Sequence, residues 1–226
     1  MPKQTDANAS EWDAIALDWD ENRSTHPSAT LSFFKGYAKG TVLDAGCGNG
    51  RNSVEFAKAA DHVIALDASA AMLEASEKNV NTKPEARAKV EFLQAKIEKM
   101  SPIADASVDA VFCLAALHHV KPQDQSKAAA EFFRVLKRDG RLCLTVWNRQ
   151  QRRFAKKPKE LDVPWHGKPR YYYFFDENEL ISLLETAGFT VEKMIYEKNG
   201  QSVLAEKAQN LCLIATKAGR PKPPKS

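Results

Sequence analysis

The stretch VLDAGCGNG (residues 42–50) decides how this chain folds. A short apolar run meets an acid and then three glycines at alternate positions, giving Asp44, Gly46, Gly48 and Gly50 in the pattern D-x-G-x-G-x-G. Glycines at the end of a strand let the backbone turn sharply and approach a ligand at a distance that a Cβ would forbid. The spacing is not the G-x-G-x-x-G of dinucleotide folds, and Gly50 arrives too early to be the third, helix-packing glycine. A small cationic ligand therefore fits the loop better than a pyrophosphate. Asp44 suits an ammonium group, and Asp67, closing the next apolar run HVIALD (62–67), suits ribose hydroxyls.

Outward from the loop, strand-like runs recur at 41–45, 62–67, 90–93, 108–114 and 141–147. Between them lie segments of helical spacing: Asn52 to Ala60, Ala70 to Asn79, and Asp124 to Leu136, which follows Pro122 and closes on Arg138-Asp139-Gly140. Buried strands alternating with helices predict a mostly parallel sheet covered on both faces. Farther on, Asp176 and Glu179 give the N-terminal signature of a helix that ends at Gly188. TVEKMIY (190–196) and NLCLIATK (210–217) read as an antiparallel pair at one edge. Two short helices, Trp12 to Trp19 and Ala29 to Tyr37, are predicted ahead of the first strand, so residues 1–40 form a cover and 41–217 the main domain. Residues 218–226, rich in Pro and Lys, are expected to be a disordered basic tail.

The composition, 43% hydrophobic and 27% charged, is that of a globular chain. No apolar run approaches the roughly 20 residues that span a bilayer. Cys47, Cys113, Cys143 and Cys212 are widely spaced, which argues against a zinc site and fits a reducing, cytoplasmic setting. The net charge of +4 is unevenly spread. Between Arg149 and Tyr173, eight Lys/Arg face only Glu160 and Asp162, and the last ten residues add four more cations. A mildly acidic body with a basic insert (148–175) and a basic tail points to a polyanionic partner. The same insert carries VPWHGKPRYYYFF (163–175), a concentration of rings suited to stacking on flat, negatively charged matter.

With its glycine loop and both acids, the segment from Thr41 to Trp147 resembles class I S-adenosylmethionine-dependent methyltransferases. The resemblance implies a Rossmann-like, mostly parallel seven-stranded sheet with one antiparallel strand and helices on both faces. It implies S-adenosylmethionine as cofactor, held by Asp44, Gly46, Cys47, Gly48, Asn49, Gly50, Asp67, Ala68 and Leu114. The family often has an acid after the third strand for the adenine amino group; this chain has Lys96 there.

Nearly the whole chain further resembles the tRNA methyltransferases that esterify 5-carboxymethyluridine at the wobble position. The residues that carry this are Arg23, His118–His119, Trp147, the DVPW of 162–165 and Arg170–Tyr171–Tyr172. Trp12, His26 and Tyr173 depart from the family's usual Tyr, Trp and His. The resemblance implies an anticodon-loop substrate, with Arg170 and Arg23 as carboxylate or phosphate clamps, His118 and His119 orienting the uridine, and Tyr171 and Trp147 stacking. It also implies a small zinc-binding activator protein that pairs with an exposed sheet edge, for which VEFLQ (90–94) is the outer strand. An acceptor carboxylate is ionised at neutral pH and needs no strong general base. About half of the 171–175 aromatic run is expected to face the core, since alternate residues of an extended segment point to opposite sides. Two other readings stay open: a small-molecule methyltransferase of the same fold, and a non-catalytic RNA-binding protein with a vestigial cofactor site.

Overall fold

A computed structural model describes residues 7–22, 26–34, 36–154 and 156–218. Five strands follow the expected alternation: β1 (Thr41–Ala45), β2 (His62–Asp67), β3 (Val90–Gln94), β4 (Val108–Leu114) and β5 (Leu136–Trp147). Between them lie α2 (Arg51–Phe56), α3 (Ala70–Asn81), the short α4 (Pro84–Arg87) and α5 (Pro122–Val135); α1 (Ala7–Asn22) precedes β1. After β5 come β6 (Glu160–Asp162), β7 (Tyr171–Tyr173), α6 (Glu177–Thr186), β8 (Thr190–Lys198), the two-residue β9 (Gln201–Ser202) and β10 (Asn210–Thr216).

The main sheet runs β3-β2-β1-β4-β5-β10-β8-β9. β1 pairs in parallel with both β2 and β4, so the strand order reverses between β1 and β4. In such sheets ligands bind at the carboxyl ends of the strands beside that reversal. β10 is antiparallel to both β5 and β8, as the spacing of the last two strands predicts, and the small β9 adds an eighth member. β3 is the outer strand at the opposite edge, as expected.

Three local features differ from the sequence reading. α5 starts on Pro122 itself, and β5 begins immediately after it, so Asp139 and Gly140 lie within an irregular strand instead of closing the helix. The second N-terminal helix is a 3-10 segment, Ala29–Phe34. The insert contains a small antiparallel sheet of its own, β6 against β7.

That small sheet corrects the expectation that half of the aromatic run would be core: Tyr171, Tyr172, Tyr173, Phe174 and Phe175 are all buried. Tyr171, Tyr173 and Phe175 join the main core with Phe132 and Leu144, while Tyr172 and Phe174 pack with Phe154, Trp147 and Leu161. The alternation is real, but each face meets its own apolar layer. Trp147 stacks on Tyr172 at 4.3 Å between centroids, a pair that contributes about 0.5–1.5 kcal/mol beyond its burial. The capping box of α6 forms as its sequence predicts, Asp176 and Glu179 each accepting from the other's backbone N–H. No helix of the described residues is long and apolar enough to cross a membrane. The expected tail lies outside the described residues from 219 onward, as does Arg23.

Candidate active site

A cavity of about 410 Å³ opens at the carboxyl ends of β1, β2 and β4. Gly46, Cys47, Gly48, Asn49, Asp67, Ala68 and Leu114 lie on its wall; Asp44 and Gly50 do not. Gly46 and Cys47 donate their backbone N–H groups to the Leu66 carbonyl (2.8 and 2.9 Å), which folds the glycine loop over the end of β2. Gly46 has φ +81°, and a Cβ on it would stand 2.4 Å from Ala116 Cβ, so only glycine lets this loop meet the loop after β4. Gly48, at φ +55°, has no atom within 4 Å of its ideal Cβ position and leaves its backbone open to a ligand.

Asp67 is fixed by its neighbours. Its Oδ2 accepts from Gly48 N–H (2.9 Å) and its Oδ1 from Ser69 N–H (3.0 Å). Burial holds its carboxyl above the usual range, the two backbone donors partly opposing this. Asp44 lies deeper, accepting from the Ser53 hydroxyl at 2.6 Å. Burial pushes its carboxyl up to about 7, the Ser53 hydrogen bond opposing and the nearby Asp67 charge adding to the rise.

The wall toward the third strand carries an acid beside Lys96. Lys96 and Glu98 both face the cavity, their charged ends 3.9 Å apart. An acid is thus present two residues beyond the position where the sequence reading sought one. An open glycine backbone, a fixed acid at the end of β2, Glu98, and the apolar Ile97 and Leu114 together fit S-adenosylmethionine.

The other half of the cavity is built by the loop after β4, the end of β5 and the insert. Ala115 sits at φ +60°, a left-handed conformation rare for a residue with a Cβ, and its N–H is held by the Thr145 carbonyl and hydroxyl (3.0 and 2.9 Å). This turn delivers His118 and His119, both buried and both on the cavity wall. Trp147 N–H donates to His118 Nδ1 at 3.1 Å, so Nδ1 is the bare nitrogen and Nε2 carries the hydrogen. His119 Nδ1 lies 2.7 Å from the Tyr171 carbonyl and donates to it. Burial keeps the His118 imidazole far below its ordinary pKa, helped by His119 and Arg170, and takes His119 down to about 4. Both rings are therefore neutral at pH 7.

The structure separates residues that the sequence reading grouped. Trp147 lines the cavity together with Tyr172, whereas Tyr171 does not: its hydroxyl donates to Glu160 and its ring lies under Lys121 Nζ at 3.4 Å. Arg170 is only 4% exposed and does not line the cavity either. Its guanidinium carbon lies 5.1–5.9 Å from the ring centres of Trp165, Tyr172, Trp19 and Trp12, three of which are cavity walls. The N-terminal helix is bound into this arrangement: Asn49 Nδ2 donates to Asp20, Ser69 Oγ to Asp13, and Trp165 Nε1 to Asp18. Sequence reasoning missed Glu197, a buried carboxylate on the wall that accepts from Asn210 Nδ2 (2.6 Å) and Gly200 N–H (2.5 Å). Its position in the strand TVEKMIYEK carries no motif; only the pairing of β8 with β10 brings it to the site.

Asp44 makes a testable contribution to pH dependence. Between the ordinary carboxylate range and about 7 the folded protein holds a proton that the unfolded chain has lost. Stability from this group therefore rises as pH falls through 7, while attraction for a cationic ligand weakens over the same window. Calorimetric melting of the ligand-free protein from pH 8 to 5.5 is expected to show this rise, and an Asp44→Asn variant a flatter profile. An unchanged profile in the variant would assign the effect elsewhere.

Comparison with known proteins agrees with this geometry. Residues 43–144 match a family model described as a methyltransferase domain. A protein of Encephalitozoon cuniculi named as a methyltransferase is 26% identical over 80% of this chain and 85% of its own length. CRG1 of Saccharomyces cerevisiae, named as an S-adenosylmethionine-dependent methyltransferase, is 26% identical over 79% of this chain, which spans only 61% of that protein. Among solved structures, a Haloferax volcanii protein in complex with the Trm112 methyltransferase activator superposes with a TM-score of 0.72 at 16% identity, covering 96% of this chain and 100% of that one. The matched segment, the relatives and the acid-and-glycine cradle at the reversal of a parallel sheet agree on a Rossmann-like methyltransferase fold whose cavity fits S-adenosylmethionine.

Proposed function

We propose that this protein methylates the carboxylate of 5-carboxymethyluridine at the tRNA wobble position, giving the methyl ester. The observation that carries the reading is His118: buried, neutral, and with its tautomer set by the Trp147 N–H, it offers the cavity an Nε2–H donor and no base. His119, at about 4, is an equally poor proton acceptor at neutral pH. Such a wall favours an acceptor oxygen that arrives already ionised, as a carboxylate does. When bound, the cofactor supplies an electrophilic methyl group. The chain's own task is then to orient the acceptor against Trp147 and Tyr172, hydrogen-bond it through His118, and exclude water. Rings that stack on an unstacked base suit an anticodon loop, and the exposed cations of the insert suit its phosphates.

The reading includes a small zinc-binding activator on β3. That strand is a sheet edge whose Phe92 and Leu93 are half-buried, and an unpaired edge of this kind accepts strand addition. The Haloferax volcanii neighbour, solved with the Trm112 activator, supports the idea. Nucleoside mass spectrometry of tRNA from a strain lacking the gene should show 5-carboxymethyluridine accumulating and its methyl ester gone. Purified protein should restore the ester only when co-expressed with the activator. An unchanged nucleoside profile sinks the acceptor assignment, and full activity of the isolated chain sinks the activator's role.

A further inference from the structure

The eight cations between Arg149 and Tyr173 do not act as one surface. Arg149 lies 3.8 Å from Asp176, Lys159 bridges Asp176 and Glu179 at 2.9 Å each, Lys168 donates to the Ala14 carbonyl, and Arg170 is enclosed by rings. Arg152, Arg153, Lys156 and Lys157 remain exposed. Two of these, Arg152 and Arg153, turn into a shallow groove of about 590 Å³ whose other cations, Lys198 and Lys207, come from distant parts of the chain. Lys198 ends β8, and Lys207 ends the 3-10 turn Ala205–Lys207 before β10. Glu206 is the sole acid on the groove wall, and among the described residues none of the four cations has an ion-pair partner.

The groove adjoins the active-site cavity across one shared residue. Gln209 lines both. Arg153 lies with its guanidinium 4.9 Å from the ring centre of Trp147, itself a cavity wall, and its Nε donates to Gln151 at 3.1 Å. A guanidinium held against aromatic rings still has donors for phosphate oxygens and gives up little entropy on binding. Four cations from three segments on a groove that adjoins the cavity suit a track for a negatively charged polymer.

We infer that this groove carries the phosphate backbone of a single-stranded RNA segment that enters the cavity past Arg153 and Gln209. The inference rests on the acceptor reading only for the identity of the base that reaches the cavity; the track itself rests on the charge of the groove and its position beside Trp147 and Gln209.

The test is fluorescence anisotropy of a labelled anticodon stem-loop across about 50–200 mM salt, with the wild-type protein and an Arg152→Ala/Lys207→Ala variant. Melting temperature and S-adenosylmethionine affinity serve as folding controls. Losing two phosphate contacts should weaken binding by about tenfold and reduce the log–log salt slope by about 1.4, at roughly 0.7 per contact on a single strand. Cofactor affinity should stay at the wild-type value. An unchanged affinity and slope in the folded variant overturn the track while leaving methyl transfer to the wobble uridine standing. A track that behaves as expected in a protein that methylates no carboxymethyluridine overturns the acceptor reading alone. Preference of the wild-type groove for a polyglutamate peptide over RNA overturns the track as well.

Discussion

An Asp67→Ala protein is expected to bind S-adenosylmethionine about a hundredfold more weakly than the wild type while remaining folded. Hydrogen bonds to a charged group contribute about 1.5–3 kcal/mol each, and a factor of one hundred corresponds to about 2.8 kcal/mol. Asp67 gains its leverage from being held: Gly48 N–H and Ser69 N–H fix its two oxygens at the end of β2, so little ordering remains when a ligand's hydroxyls arrive. The same two bonds mean that the substitution also releases the glycine loop. Asp67→Asn separates the effects, since the amide oxygen can keep one backbone donor while the charge is lost. Its affinity should lie between the two. Isothermal titration is the measurement, and an unchanged affinity in folded Asp67→Ala would remove Asp67 from the cofactor site.

The cofactor half of the site was legible from sequence because its determinants are local. Glycines at alternate positions, an acid ending the next strand and apolar runs of strand length are short-range signals, and β1, β2 and β4 appear with the boundaries those signals predict. The acceptor half was less legible because its walls come from segments far apart in the chain. His118 is oriented by Trp147, 29 residues away, and Glu197 reaches the wall only through pairing with β10. The aromatic run misled for a related reason. Alternation separates its two faces correctly, but it does not say that a second apolar layer, Phe154 with Trp147 and Leu161, covers the outer one. Likewise the charge count of the insert did not distinguish cations that tie down α6 from those lining a groove with Lys198 and Lys207.

Arg170→Ala is expected to lower methyl transfer to an anionic acceptor by roughly fiftyfold and leave cofactor affinity unchanged. The sequence reading made Arg170 a direct clamp, but its guanidinium is buried behind Trp12, Trp19 and Tyr172. For an acceptor carboxylate on the far side of one such ring layer, a separation of about 7 Å is taken. At an effective dielectric of about 20, that contributes about 2.4 kcal/mol, which sets the fiftyfold figure. On this expectation Arg170 acts as a positioning residue: its charge would bias the cavity toward anions, and the same field helps keep His118 and His119 neutral. A purely structural role, pinning α1 to the insert through ring contacts, also predicts lost activity and a lower melting temperature. The two differ in discrimination. The wild type should prefer a nucleoside bearing a carboxymethyl group over its neutral amide as a competitive inhibitor, and Arg170→Ala should lose that preference. Arg170→Lys keeps the charge but not the planar stacking, so it should retain much of the discrimination at reduced stability. Removing the charge should also raise the His119 pKa from about 4, visible in an NMR titration of the ring. If Arg170→Ala weakens both inhibitors equally, the residue holds the wall together and its charge has no part in choosing the acceptor.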